Sequence, residues 1–315
     1  MSTATATPVQ ETGFRHEALF YAGGRGFVTA ATAFLREAVA AGDPTLVAVP
    51  GEKIEPLRAK IDAAETVMFV DMKAVGSNPA RIIPAWREFA QNHGDRPLRG
   101  IGEPIWAGRS EAELVECQRH EALLNLAFAD APAFWLVCPY DVDALSGEVI
   151  DEARRNHPFV ITGRAQQHSD AYLGLEAVAA PFDDPLPAPP ETAIKLRFGP
   201  GQLAKVRGFV SRHGVGAGLH AERVDDLVLV ANELATNSML YGGADGTVRI
   251  WPDADTVICE VRDAGVIQDP LVGRVPPDTA QQGGRGLWMA NQLCDLVQVR
   301  SSVMGTVVRV HIRRT

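Results

Sequence analysis

From Glu17 onward the chain alternates short apolar runs with longer stretches of helical period. The runs "ALFY", "TLVAVP", "TVMFVD" and "AFWLVCPYD" are strand-sized and rich in β-branched and aromatic residues, and "GFVTAATAFLREAVAAG" separates the first two. Strands interleaved with amphipathic helices predict an α/β domain, a parallel sheet with helices on both faces. The segment Ala177 to Thr192, "AVAAPFDDPLPAPPET", then brings five prolines. Proline removes backbone donors and favours extended chain, so this stretch is read as a semi-rigid linker.

Beyond the linker the rhythm changes. "AIKLRF" reads as a strand, "QLAKVRGFVSRHG" as a helix closed by Gly214, and "AERVDDLVLVANELATNSMLY" as a long helix. "GTVRIWPDADTVICEVRDAG" reads as two alternating strands about a "PDAD" turn. A Gly, Pro and Asp loop comes next, then the helix "GLWMANQLCDL" and two closing strands, "VQVRSS" and "GTVVRVHIRR". Together these predict an α+β layer of helices on a mostly antiparallel sheet.

The long helix holds the first candidate chemistry. Asn232, Glu233, Thr236, Asn237 and Ser238 crowd a segment that would otherwise be apolar. Residues four apart share a helix face, so Glu233 and Asn237 project together, with Val230 above and Tyr241 below. Leu227, Ala231, Leu234 and Ala235 are left to cover the sheet, and the polar pair is read as facing a cavity. Such a pair also suits a solvated face. Three motifs nearer the C-terminus decide between the two.

"VRDAG" puts Asp263 and Gly265 at a strand end, where a carboxylate accepts from the amino group of a flat base and glycine lets the base lie against the backbone. "GGRGLWMANQL" puts Gly283, Gly284 and Gly286 at the start of a helix, where bare amides and the positive helix end meet phosphate. "MGTVVRV" sets Gly305 and Thr306 at a strand start, with a hydroxyl able to reach the base. Each piece alone is an ordinary turn, loop or strand start; all four in this order read as a nucleotide site.

Composition narrows the partners. The 315 residues are 46% hydrophobic and 22% charged, with a net charge of −9, which fits two globular domains and leaves no broad basic field for nucleic acid or anionic membrane. The four cysteines are widely spaced, as in a reducing compartment. No apolar run approaches the ~20 residues that span a bilayer, and "MSTATATPVQETG" lacks the regions of a signal peptide. A cytoplasmic protein is expected.

With those motifs in place, residues 193–315 resemble the GHKL (Bergerat) ATP-binding sandwich shared by gyrase, histidine kinases and MutL, and most closely the anti-sigma serine/threonine kinases of the RsbW type. "NELATN", "DAG", "GGRGLWMANQLCD" and "GT" stand for the boxes of that family. The resemblance implies ATP and Mg²⁺ as cofactors, with Asn237 holding the metal and Glu233 acting as general base or orienting the nucleophile. It implies Asp263 for the adenine amino group, Gly265 along the base, Gly284, Arg285 and Gly286 at the phosphates, and Thr306 at the far side of the adenine. One departure is Ile267 in "DAGVI", where many members have a second glycine; it stiffens the start of the lid between Val266 and Gln282.

Histidine kinases place a phospho-accepting histidine on a helical hairpin before this domain. Here only about forty residues separate the linker from Glu233, and the domain's own first strand and helices use them. His213 and His220, near "HGVGAGLH", are read as surface loop residues. The resemblance therefore implies an anti-sigma factor that sequesters a sigma factor and phosphorylates a STAS-type anti-anti-sigma protein. The alternatives are a non-catalytic anti-sigma binding module and a histidine-kinase-like signalling protein. A homodimer is compatible with each.

In the first half, "FYAGGRGF" joins a strand to a helix through glycines but lacks the Gly-Lys-Ser/Thr of a phosphate loop, so a tight turn is the favoured reading. "HEALLNLAF", "WLVCPYDVDAL" and "RRNHPFV" resemble the MEDS sensory domain over residues 14–164, leaving 165–192 as linker. His16, Glu121, Asn125, Cys138, Tyr140, Asp141 and His157 are its polar landmarks. Glu121 and Asn125 share a helix face, and Cys138 to Asp141 lie at a strand end, where α/β sheets place ligands. A His, Cys and Asp set could bind a metal, although the spacing matches no standard site; the other readings are capping and core hydrogen bonds, or a pocket for a small signal ligand.

Overall fold

The computed structural model describes residues 13–61, 65–163, 165–174, 185–277 and 285–314. The chain divides into two compact units. One comprises the residues up to Met72, Glu88–Ala107 and Asn125–Tyr172; the other comprises Lys73–Arg87, Gly108–Leu124 and the chain from Leu173 onward.

The first unit carries a seven-stranded sheet of β1 (Phe14–Tyr21), β2 (Thr45–Val49), β3 (Val67–Asp71), β4 (Leu98–Gly102), β5 (Phe134–Asp141), β6 (Phe159–Thr162) and β7 (Ala165–His168). Their order is β3-β2-β4-β5-β1-β6-β7, parallel throughout except for β6 against β7. The strand β4 is not legible in the sequence, because Gly100 and Gly102 interrupt its apolar pattern. β7 occupies the start of the expected linker.

Helix α1 (Gly23–Ala41) comes after β1 and ends at Gly42, whose left-handed φ of 71° lets Gly42 and Asp43 donate back to Val39 and Ala38. Helix α2 (Gly51–Arg58) comes after β2, and α6 (Gly147–Asn156) lies between β5 and β6. Alternate residues Leu19, Tyr21, Val47, Val49, Ile101 and Val137 form one sheet face with a core against Phe27, Ala31 and Leu35 of α1 and Leu57 of α2. By the same alternation His16, Cys138 and Tyr140 point to the opposite face.

Helices α3 (Met72–Val75), α4 (Ile82–His93) and α5 (Glu111–Ala127) contribute residues to both units, and a short 3-10 turn at Pro79–Arg81 belongs to the second.

The second unit carries a five-stranded sheet of β8 (Ile194–Phe198), β9 (Gly246–Asp253), β10 (Thr256–Asp263), β11 (Leu296–Ser302) and β12 (Gly305–Arg313), in the order β11-β12-β10-β9-β8 and antiparallel throughout. Helices α7 (Leu203–Gly216), α8 (Ala221–Tyr241) and α9 (Arg285–Leu293) pack with it through one core, in which Val206, Val210, Leu227, Leu234 and Leu287 meet Val248, Val261 and Val310. Full burial of each large aliphatic side chain contributes about 1.5–3 kcal/mol. This layering is the GHKL-type α+β sandwich expected.

Several local features differ from expectation. Gly214 does not close a helix; it sits buried inside α7, against Leu219 and Val224. His213 therefore lies in α7, edge-on to the Phe209 ring, while His220 is the N-cap residue of α8. Val230 is fully buried in the core rather than beside the polar pair. Of the proline-rich stretch, residues 175–184 lie outside the described chain, and Pro187 beyond them accepts from Arg309 at 2.8 Å.

Candidate functional site

Strand pairing builds the site in the second unit. Asp263 ends β10 and lies opposite Thr306, the second residue of β12. One Asp263 oxygen accepts from the Ser238 hydroxyl of α8 at 2.6 Å, and the other accepts from the Gly265 amide at 2.8 Å. The carboxylate is thus aimed by a helix hydroxyl and a backbone N–H, and each oxygen keeps a further lone pair for a ligand. Close approach requires the glycines here. A Cβ on Gly242 would lie 2.4 Å from the Asp263 Cγ, and one on Gly265 would lie 2.6 Å from the Tyr241 carbonyl.

Thr306 belongs to a directional chain. Its hydroxyl donates to the Gly265 carbonyl at 2.8 Å, so the 2.8 Å contact between Ser301 and Thr306 must have Ser301 as donor. Ser301 in turn accepts from the Ile267 amide at 2.7 Å. The backbone on either side of Val266 is therefore tied to β11 and β12.

A cavity of about 280 Å³ opens between α8 and the sheet. Leu234, Val261, Ile267 and Leu287 supply apolar walls, while Asn237, Asp263 and Thr306 bring polar groups to the same space. An apolar slot with a few fixed polar groups suits a flat heteroaromatic ligand.

Glu233 and Asn237, both half-buried, meet the start of α9. A Cβ on Gly286 would lie 2.8 Å from Asn237 Nδ2 and 3.3 Å from Glu233 Cβ, so glycine lets the helix N-terminus approach the pair without displacing the amide. Arg285, the first residue of α9, is exposed, and Gly283 and Gly284 lie outside the described residues. The structure thus brings Glu233, Asn237 and Gly286 together, and groups Asn237 with Asp263, Gly265 and Thr306 about the cavity. The other polar groups of α8 have structural partners. Asn232 accepts from Arg207 at 2.8 Å, and Thr236 donates back to the Asn232 carbonyl. Sequence reasoning missed the roles of Ser238 and Ser301, since neither contact has a sequence period.

The remote end of α9 is also held. Arg81 donates to the carbonyls of Asn291, Gln292 and Cys294 at 2.7, 2.8 and 2.9 Å, and Asn78 donates to Asn291 at 3.1 Å. The Asn291 side chain donates to the Gly273 carbonyl at 2.7 Å. Nearby, Glu116 accepts from Arg300 at 2.9 Å and faces Arg274 at 3.5 Å, all three buried.

In the first unit, Asp141 stands apart from the other landmarks. It ends β5 and accepts from the amides of Gly23 and Asp143, both at 3.1 Å. The start of α1 is therefore met by the protein's own carboxylate, which is the tight-turn reading of "FYAGGRGF". At the same sheet edge Glu103 accepts from Tyr21 and Lys53, each at 2.6 Å. Burial and then the Glu103 charge push the Tyr21 hydroxyl well above its ordinary pKa, and burial raises that of Glu103. The remaining landmarks are buried: His16 on β1, Cys138 on β5, Glu121 and Asn125 on α5, Tyr140 near the end of β5, and His157 just after α6.

Among the described residues no helix is long and apolar enough to cross a membrane. A search of curated proteins returns no match. Residues 15–158 match the family model described as MEDS, the methanogen/methylotroph, DcmR sensory domain. Residues 196–312 match that of the histidine kinase-like ATPase domain, which implies nucleotide binding. The chain thus joins a MEDS sensory domain to a kinase-like ATPase domain, the make-up of a regulatory signalling protein.

Proposed function

We propose that the chain is an ATP-dependent protein serine/threonine kinase of the anti-sigma type, which sequesters a sigma factor and phosphorylates a STAS-type antagonist under control of its MEDS domain. One observation carries this reading: Asn237, Asp263, Gly265 and Thr306 share a single cavity, and Gly286 is pressed against Asn237 and Glu233. The Asp263 carboxylate takes the adenine amino group, Gly265 lies along the base, and Thr306 closes its far side. The N-terminus of α9, at Arg285 and Gly286, faces the phosphates, the role that the family resemblance also gives to Gly284.

The close packing of Asn237 against the α9 N-terminus fits a metal–phosphate complex held between two helices. Asn237 would hold Mg²⁺, whose charge offsets that of the phosphates when bound. Glu233, one helical turn away, receives the proton of the attacking serine or threonine hydroxyl, a contribution of about 10²- to 10⁴-fold. The product carries about −2 of new charge, enough to expel the antagonist from an interface that offers no waiting arginine.

The test incubates the full chain with γ-labelled ATP and STAS-type proteins encoded by the same genome, and tracks label on the antagonist and release of a co-purified sigma factor. Transfer that Glu233→Ala abolishes while nucleotide still binds supports the kinase. Nucleotide binding with no transfer to any antagonist replaces it with a non-catalytic binding module. The hydrogen bond tethering Ile267 to Ser301 favours that second reading, because it limits closure of the lid.

A further inference from the structure

The MEDS domain gathers His16, Cys138 and His157 so that one ligand atom from each lies within 4.8 Å of every other, and all three are at most 1% exposed. The hydrogen bonds around them settle the tautomers. Asn125 Nδ2 donates to the Asn156 carbonyl at 2.8 Å, so its Oδ1 is the atom facing His16 Nδ1 at 3.1 Å and accepts the proton there. His16 therefore carries its lone pair on Nε2, which lies 3.3 Å from Cys138 Sγ. His157 donates Nδ1–H to the Ala153 carbonyl at 2.7 Å, which puts its lone pair on Nε2 as well. The two imidazole rings stand 4.0 Å apart, centroid to centroid.

Outer carbonyls and amides that fix imidazoles in this way are the usual supports of metal-binding histidines. The spacing agrees. With bonds of about 2.0 Å to nitrogen and 2.3 Å to sulfur at a tetrahedral angle, two ligands of one zinc ion stand about 3.5 Å apart, close to the 3.3 Å between His16 and Cys138. Two imidazoles and a thiol form a mixed nitrogen and sulfur set suited to zinc.

We propose that His16, Cys138 and His157 bind one Zn²⁺ in the MEDS domain. On binding, the Cys138 S–H bond breaks, its proton leaves to solvent, and the thiolate bonds to the metal. The site draws on β1, β5 and the residue after α6, which is why it matches no spacing motif.

The experiment strips the full chain with a chelator, then titrates it with Zn²⁺ against a chromophoric competitor and separately with Co²⁺ as a spectroscopic probe. One Zn²⁺ per chain is expected, with a thiolate-to-cobalt charge-transfer band and d–d bands of tetrahedral intensity. Cys138→Ala, which leaves a small apolar group in a buried place, should abolish that band and weaken zinc binding by at least tenfold while far-UV circular dichroism and nucleotide affinity hold. Asn125→Ala should weaken zinc binding by about 10- to 100-fold, as loss of an outer support does. A wild-type chain that gives no charge-transfer band with Co²⁺, or that binds Zn²⁺ no tighter than Cys138→Ala, overturns the proposal. Because the Co²⁺ spectrum is read on the wild type, a variant that fails to fold does not decide the matter.

Discussion

Gly286→Ala separates the nucleotide site from the fold that carries it. The new methyl group would sit 2.8 Å from Asn237 Nδ2 and 3.3 Å from Glu233 Cβ, inside the 3.5–4.0 Å or so at which such atoms rest in contact. Something must yield. The backbone of α8 is fixed by Leu227, Val230, Ala231 and Leu234, all at most 2% exposed, whereas the Asn237 amide ends a short rotatable side chain. The amide swings away and the fold survives. Alanine also favours a helix over glycine by up to about 1 kcal/mol, so the melting temperature of the nucleotide-free chain should hold or rise. Contacts to charged groups contribute about 1.5–3 kcal/mol, so Mg²⁺-dependent ATP affinity should fall about 10- to 150-fold. Isothermal titration with and without Mg²⁺, beside thermal melts, measures both quantities. An affinity within twofold of wild type would show that Asn237 holds nothing; a stability loss matching the affinity loss would show that the helix moved and not the amide.

Three other outcomes rest on the same geometry. Ser238→Ala removes the 2.6 Å bond that aims Asp263, so ADP affinity should fall about tenfold, or 1.4 kcal/mol, and preference for adenine over guanine should narrow in competition assays; unchanged preference would refute the role given to Ser238. Glu116→Gln leaves the buried guanidiniums of Arg274 and Arg300 without their counter-charge, and urea unfolding should show a loss of about 3–5 kcal/mol, which an unchanged midpoint would contradict. Burial, and then the charge of Arg309, lower His311 from the ordinary 6.5 to about 4. Its contribution is complete above pH 6.5; as pH falls from 6.5 to about 4 the unfolded chain takes up the proton first, and stability drops by roughly 3 kcal/mol in all. His311→Asn should flatten that part of a stability-against-pH curve.

The parts of the ATPase domain legible in the sequence are those whose contacts repeat with the chain's own period. α8 is legible to the residue because Leu227, Ala231 and Leu234 recur at helical spacing, and β10 and β12 because their apolar residues alternate. The pairing of Glu233 with Asn237 comes from the spacing of four. The illegible parts depend on atoms far apart in sequence. Ser238 reads as one more polar residue until β10 brings Asp263 to it, and Asp141 reads as a ligand-site carboxylate until the start of α1 folds onto it. The convergence of His16 with Cys138 needs the sheet order, since β1 and β5 are neighbours although more than a hundred residues apart.

Helix α9 shows how the front half of the sequence bears on the nucleotide site. The last carbonyls of any helix lack partners within it and carry partial negative charge. At α9 three backbone carbonyls accept from one guanidinium, Arg81, supplied by the turn at Pro79–Arg81. The same helix presents Gly286 at its other end, packed so closely on Asn237 that an added methyl group would displace the amide. An α-helix of nine residues is a rigid rod of about 13 Å, and Asn291 on it also holds the Gly273 carbonyl in the segment beyond Ile267. One short helix thus meets the Arg81 guanidinium at one end, Asn237 at the other, and the Gly273 carbonyl between them.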